Sequence, residues 1–118
     1  MRNILAGASV VGMFFAFPAV SLAKDMPYRS SVTVKVGQTV LLKGIRHKDC
    51  GKPARAFSYY KPQLPKSSLG TFSDGGVGTT RSDRCRGVVP ARGVRFTAKK
   101  PGKERLRVMG DPITITVK

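Results

Sequence analysis

The residues best suited to chemistry are arginines gathered around a cysteine in the second half of the chain. The segment Arg81–Arg86 holds three arginines and one acid, and Arg92 and Arg95 follow closely. A guanidinium can hold sulfate, phosphate or carboxylate through two parallel hydrogen bonds, so this pattern is suited to binding an anion. The alternative is that Asp83 pairs with a neighbouring arginine while the other arginines are only solvated.

Two stretches near the carboxyl end predict the strands that would carry further arginines. Val94–Thr97 and Arg105–Val108 both alternate apolar with polar residues, and a Lys-Lys-Pro-Gly turn lies between them. We expect a hairpin with Phe96 opposite either Leu106 or Glu104, because both apolar sets then lie on one face.

The opposite face of that hairpin would be basic. It would carry Arg95, Arg105 and Arg107, with Lys103 near the turn. Like charges across a strand pair are mildly destabilising, so a bound anion would give this arrangement a purpose. On the other interpretation, the charges are solvated and prevent aggregation through the sheet edge.

Catalytic chemistry is not indicated by any residue pattern in the chain. His47 is the only histidine, and no serine lies in a recognisable triad motif. The spacing singles out no carboxylate pair among the acids after residue 23, which are Asp25, Asp49, Asp74, Asp83, Glu104 and Asp111. One histidine and two distant cysteines are no recognisable zinc set. We therefore expect a protein that is not an enzyme, without a cofactor or metal.

The amino terminus has the pattern of a cleavable signal peptide. Arg2 supplies the positive start, Ile4–Phe17 is a nearly unbroken apolar run, and Ser21–Ala23 offers small residues for cleavage before Lys24. A membrane anchor is the alternative, since the uncharged run approaches the length of a membrane span. We expect residues 1–23 to be removed and the remaining domain to be periplasmic or secreted, with no transmembrane segment.

The domain from residue 24 to residue 118 is small and strongly basic. Cleavage removes only Arg2 from the charged residues, so the net charge of +16 becomes +15. A chain of this length suits one domain with a modest core. Its charge favours encounter with polyanions, although net charge also keeps small exported proteins in solution.

Cys50 and Cys85 are the only cysteines, and their expected export predicts a disulfide between them. Such a bond would stabilise a small domain by about 3 to 4 kcal/mol in the chain-entropy model. Two free thiols are the alternative.

Short alternating segments bounded by glycine and proline predict an all-β domain. Ser31–Val36 and Thr39–Ile45 form the expected first strand pair around a Gly-Gln turn. The remaining expectations are a strand at Ala56–Tyr60, a loop at Lys61–Gly70, glycine turns at Ser73–Gly78 and a final strand at Ile113–Val117. Tyr59 and Tyr60 could stack on sugars, but alternation along a strand would place one of them in the core.

Two stretches resemble bacterial immunoglobulin-like, cadherin-like modules. Val34–Leu42 looks like their opening strands, and Phe96–Gly102, followed by Leu106, Val108 and Ile113–Val117, is similar to their final hairpin and last strand. The resemblance implies a Greek-key β-sandwich of about seven strands. Members of this class serve as adhesion, carbohydrate-binding or spacer modules, so the resemblance does not identify a ligand.

The middle of the chain does not match that class, and two features differ from it. The chain has no tryptophan to pack on a disulfide, and Cys50 follows the second predicted strand, so the disulfide is expected to link two loops.

These observations together predict an exported binding module for anionic polymers, such as envelope glycan, lipopolysaccharide or acidic host polysaccharide. The expected ligand-binding residues are Arg81, Arg84, Arg86, Arg92, Arg95, Arg105 and Arg107. An accessory envelope protein that docks an acidic protein is the alternative, through strand addition or its charged face. Nucleic acid is a less favoured partner because the domain is expected to be exported.

Overall fold

A computed structural model describes residues 24–118, so the predicted signal peptide and its cleavage site lie outside the described residues. The elements in chain order are β1 (Ser31–Val34), β2 (Thr39–Arg46), α1 (Phe57–Tyr60), a 3-10 turn (Lys61–Gln63), β3 (Gly70–Ser82), β4 (Gly87–Ala98), β5 (Gly102–Val108) and β6 (Asp111–Val117). The prediction of an all-β domain is confirmed, with one short helix. Within this part of the chain, no helix has the length and hydropathy needed for a membrane span.

The strands form two three-stranded sheets. Sheet A has the order β1-β6-β5, in which β1 runs parallel to β6 and β6 runs antiparallel to β5. Sheet B is antiparallel with the order β2-β4-β3. Both sheets direct their alternating apolar residues into one core, which includes Val34, Leu42, Phe96, Val108 and Ile115.

The predicted hairpin between the strands around Phe96 and Leu106 is wrong. β4 belongs to sheet B, where Phe96 lies opposite Val40 and Phe72, whereas Leu106 lies opposite Ile113 in sheet A. The intervening turn therefore carries the chain from one sheet to the other. The alternating pattern fits this crossover as well as it fits a hairpin, because both strands still direct their apolar residues into the same core.

The predicted pairing of the first two strands is wrong for the same reason. β1 pairs with β6, placing Val32 opposite Ile115 and Val34 opposite Val117, while β2 pairs with β4. Gly37, with φ of 91°, lies in the connection between the sheets.

Two local predictions in the middle of the chain are also corrected. Ala56–Tyr60 is not a strand, because Phe57–Tyr60 forms one helical turn that places Tyr60 in the core and leaves Tyr59 exposed. Ser73–Gly78 is not a set of turns, because it lies within β3. Its irregularity is a bulge between Asp74 and Val77.

The segment before β1 is held against sheet B. The amide of Met26 donates to the Thr79 carbonyl at 2.8 Å, and the amide of Thr79 donates to the Lys24 carbonyl at 2.7 Å. Met26 is fully buried, and a Cβ added at Gly78 would clash with the Lys24 backbone carbonyl and lie 2.7 Å from the Met26 methyl carbon. The close approach therefore requires glycine at residue 78. This contact fixes the chain that leads to Tyr28.

Candidate anion-binding groove

An open groove with a volume of about 790 Å³ lies at one end of the domain. It is bounded by the end of β2, the end of β3, helix α1 and the turn between β5 and β6. We call this feature the groove.

The charged side chains around the groove are predominantly cationic. Its basic residues are Lys43, Arg46, Lys48, Arg55, Arg81 and Arg84. Two acids, Asp83 and Asp111, also line it. The positive charges outnumber the negative ones, so the groove attracts anions, and its concave shape focuses that field.

The floor of the groove contains a partly buried ion pair. Lys43 follows a bulge in β2 between Leu41 and Lys43, and its side chain is only 9% exposed. Its ammonium donates to Asp111 Oδ2 at 2.6 Å, at the start of β6. The pair therefore connects sheet B to sheet A, and it compensates one of the two acids that line the groove.

The disulfide predicted between Cys50 and Cys85 is confirmed, and it joins two walls of the groove. Their Cα atoms lie 5.6 Å apart, so the loop that follows β2 is fixed to the turn between β3 and β4. Arg46 and Lys48 precede Cys50, and Arg84 precedes Cys85. The bond thus holds cations from distant parts of the sequence beside one another, as expected for a link between loops.

The backbone near the disulfide is organised by side chains of the same two segments. Arg46 donates from Nη1 to the carbonyls of His47 and Lys48 at 2.9 and 3.3 Å. The amide of Cys85 donates to the Ser82 hydroxyl at 3.1 Å. These contacts limit the motion of both walls, which would reduce the entropy lost if a ligand bound there.

Aromatic rings also line the groove. The protein has three tyrosines and no tryptophan, and Tyr28, Tyr59 and Tyr60 all line the groove. The Arg55 guanidinium carbon lies 4.4 Å from the centre of the Tyr59 ring, a cation–π geometry. Tyr59 is 52% exposed, but Arg55 covers one face of its ring, so a sugar could stack only on the other face.

The hydroxyl groups of the other two tyrosines are bonded within the protein. Tyr60 accepts a hydrogen bond from the Arg55 amide at 3.2 Å, and the Tyr28 hydroxyl donates to the Pro112 carbonyl. These bonds fix both rings relative to the cations around them.

The arginines predicted from the first basic cluster do not all reach the groove. Arg81 and Arg84 line it. Arg86 lies in the turn after Cys85 with φ of 57° and is not part of the lining. Arg95 is exposed on sheet B, between Val94 and Phe96, which are buried in the main core, so it projects from the opposite face.

Arg92 has a supporting position behind the groove. Its side chain is 18% exposed and forms an ion pair with Asp74 at 3.3 Å. Its Nε donates to the Arg55 carbonyl at 3.3 Å. Arg92 therefore positions the backbone that carries Arg55.

The second predicted arginine pair lies on another surface. Arg105 and Arg107 are exposed on β5, an edge strand of sheet A, where they lie opposite Thr114 and Pro112. Lys103 is exposed on the same side of that strand. We call these three residues the edge row. It does not include Arg95, because the predicted hairpin does not form.

The groove includes several residues that the sequence interpretation did not select. Tyr28, Lys43, Arg46, Lys48 and Arg55 are the principal ones. For Arg46 and Lys48, the expected disulfide was a usable signal, because it brings the residues before Cys50 close to those before Cys85.

Three of the acids among residues 24–118 form ion pairs with basic side chains. Asp49, Asp74 and Asp111 are paired with Lys52, Arg92 and Lys43. Among residues 24–118, no group of three or more histidine, cysteine or carboxylate side chains is placed to hold a metal ion. His47 lines the groove with its side chain 11% exposed, and its Nδ1 accepts a hydrogen bond from the Asp49 amide.

Glu104 serves a structural role. It lies in β5, far along the chain from the groove residues of β2 and β3. Partial burial raises the pKa of its carboxyl, but hydrogen bonds from Ser67, Ser68 and Leu69 outweigh that effect and lower the pKa below its usual value. The ionised carboxylate thus anchors the loop before β3 to β5.

Comparisons with protein-family models, with curated proteins and with solved structures find no match to this chain.

Proposed function

We propose that this protein is an exported binding module, without enzymatic activity, that recognises anionic polymers. Envelope glycan, lipopolysaccharide and acidic host polysaccharide are the ligand classes that fit. The observation that carries the proposal is the convergence of six cationic side chains and three tyrosines on one groove.

The proposed fold is an immunoglobulin-like Greek-key β-sandwich of about seven strands. Two sheets around one core support this proposal. The parallel bridge between Asp25 and Thr79 supplies a short additional pairing at the edge of β3. Export through the predicted signal peptide is supported by the disulfide, because such bonds persist in oxidising compartments.

The chemistry of recognition follows from the types of side chain in the groove. Arg81 and Arg84 offer planar donors to sulfate, phosphate or carboxylate groups, while Lys48 adds a point charge. Tyr59 offers a ring to the apolar face of a sugar. Both contributions suit a charged glycan better than a small inorganic anion, which would use only the charges.

Tyrosine fluorescence provides a direct test, because all three tyrosines line the groove and the protein has no tryptophan. The domain starting at Lys24 is titrated with heparin, with phosphorylated lipopolysaccharide oligosaccharide and with neutral dextran. We expect saturable quenching by the two polyanions that weakens steeply with salt, because binding releases counterions. Absence of binding by both polyanions at low salt would overturn the proposal.

The edge row favours a second candidate function, in which the protein is an accessory envelope protein that docks an acidic protein. Within residues 24–118, no strand pairs with the outer edge of β5 in sheet A, and this strand exposes Lys103, Arg105 and Arg107. A partner strand could pair with that edge while its acids meet the edge row. Such docking would depend on the edge row and not on the groove.

A further inference from the structure

A second depression adjoins the groove. It has a volume of about 590 Å³ and shares Tyr28, Thr80 and Arg81 with the groove. Because the two depressions have these residues in common, one extended ligand can occupy both. We call this second feature the side depression.

The side depression differs from the groove in its chemistry. Pro27, Tyr28 and Val88 supply its apolar lining, Thr79 and Thr80 also line it, and Arg81 and Asp25 are its charged residues within the described part of the chain. Val88 is 62% exposed, and it lies directly opposite Arg81 in the pairing of β3 with β4. The apolar side chain of Val88 and the guanidinium of Arg81 are thus neighbours on one strand pair.

The ring of Tyr28 joins the two depressions. It is 43% exposed, and the hydrogen bond from its hydroxyl to the Pro112 carbonyl anchors it between them. Single exposed apolar residues are common on protein surfaces. Here, however, three apolar residues line one depression that opens onto a cationic groove.

We propose that the ligand of the groove is an anionic amphiphile, namely an acylated and phosphorylated sugar. Its phosphates contact Arg81 and Arg84, and an acyl chain lies on Pro27, Tyr28 and Val88. This inference rests on the proposed function and narrows its ligand class. A polysaccharide without acyl chains would leave the apolar side depression uncovered.

The experiment compares Val88→Thr with the matched control Val77→Thr. Both valines are exposed on the hairpin formed by β3 and β4, but Val77 does not line either depression. Threonine is nearly isosteric with valine and replaces a methyl group with a hydroxyl. The probes are phosphatidylcholine vesicles carrying lipid A and the fully deacylated, still phosphorylated lipid A disaccharide.

We expect Val88→Thr to weaken binding to the lipid A vesicles about fivefold, because one apolar contact is lost from the bound state. Binding of the deacylated disaccharide should be unchanged by either variant, and Val77→Thr should leave both affinities at the native value. The native domain should also bind lipid A vesicles more tightly than the disaccharide.

Two results would overturn the amphiphile while leaving the groove as a polyanion site. One is equal weakening of vesicle binding by Val88→Thr and Val77→Thr, and the other is equal native affinity for the two probes. Failure of the native domain to bind the disaccharide, lipid A vesicles and heparin at low salt would instead overturn the proposed function itself.

Discussion

The groove and the edge row are both basic, but they are built differently. In the groove, cations come from β2, β3 and the loops between strands, and a disulfide and a partly buried ion pair connect these segments. In the edge row, Lys103, Arg105 and Arg107 are alternate residues of one strand. Their arrangement therefore follows from strand periodicity alone, whereas that of the groove requires the whole fold.

This difference gives the two surfaces different capacities. A ligand in the groove would meet charges and aromatic rings that are already held in place, so binding there would cost little conformational entropy. The edge row presents solvated side chains to one side of a sheet, where each ionic contact is screened by water and salt. We therefore expect the same charge change to have a larger effect on polyanion binding in the groove.

Loss of the disulfide should have the largest effect and should separate the two surfaces most clearly. We expect Cys50→Ser/Cys85→Ser to lower the free energy of unfolding by about 2 to 5 kcal/mol, the usual cost in a small exported domain. Urea unfolding followed by circular dichroism measures this loss. At a temperature where the variant remains folded, heparin affinity should fall because the groove walls separate. Native heparin affinity in that folded variant would contradict the role given to the groove.

Matched charge reversals compare the two surfaces directly. We expect Arg81→Glu/Arg84→Glu to weaken heparin binding about 100-fold, since each lost charge-assisted contact contributes about 1.5 kcal/mol. Arg105→Glu/Arg107→Glu changes the net charge by the same amount and should weaken binding only severalfold. Isothermal titration calorimetry at one fixed salt concentration measures both. Equal losses would mean that total charge alone determines affinity, and a larger loss for the second variant would favour the edge row.

The ion pair at the groove floor should contribute more to stability than the edge row does. We expect Asp111→Ala to lower the free energy of unfolding by about 2 kcal/mol, because it leaves the buried Lys43 ammonium without its partner. That value is below the usual range for buried pairs because the Asp111 side chain is 45% exposed. Lys43→Met should cost less, since it removes the buried charge itself. Urea unfolding of both variants tests this order, and the reverse order would contradict it.

Replacing Glu104 should have the smallest effect on the free energy of unfolding. This change tests how much the Glu104 carboxylate stabilises the attachment of the loop before β3 to β5. The pKa of the Glu104 carboxyl is lower in the folded protein than in the unfolded chain. Its ionised form therefore contributes its full stabilisation at pH values above the unfolded-state pKa. That stabilisation is lost as the pH falls through the folded-state pKa. We expect Glu104→Gln to cost about 1 kcal/mol at pH 7 and progressively less as the pH is lowered through the folded-state pKa of Glu104. Unfolding curves across this pH range measure the difference. A cost that does not change with pH would show that ionisation is unimportant.

Sequence periodicity gave correct positions for several strands and an incorrect account of how they pair. Alternation correctly predicts that Val32 and Val34 of β1, Val94 and Phe96 of β4, Leu106 and Val108 of β5, and Ile113, Ile115 and Val117 of β6 face the core. It does not predict Val89, Ala91 and Ala98, which are also buried in β4. Both expected hairpins, however, are crossovers between sheets. A hairpin and a crossover bury the same alternating residues, so periodicity cannot distinguish between them.

The same limitation explains which site residues were found. Arg81 and Arg84 were accessible to sequence interpretation because they flank Cys85 closely. Lys43 and Arg55 are not, because Lys43 lies in a predominantly apolar strand and Arg55 only precedes the segment that the sequence predicts as a strand, Ala56–Tyr60. Arg95 was grouped with Arg105 only through the hairpin that does not form.

The sequence by itself determined the all-β class, the basic charge and the single disulfide, since each depends on composition, local alternation or the presence of only two cysteines. The tertiary structure alone decided which cations share a surface. That decision depends on contacts between residues far apart in the chain, such as Lys43 with Asp111, whose free energy arises only when both sheets close on one core. Local sequence specifies which face of a strand is buried, but the strand's partner is selected by the packing of the whole domain.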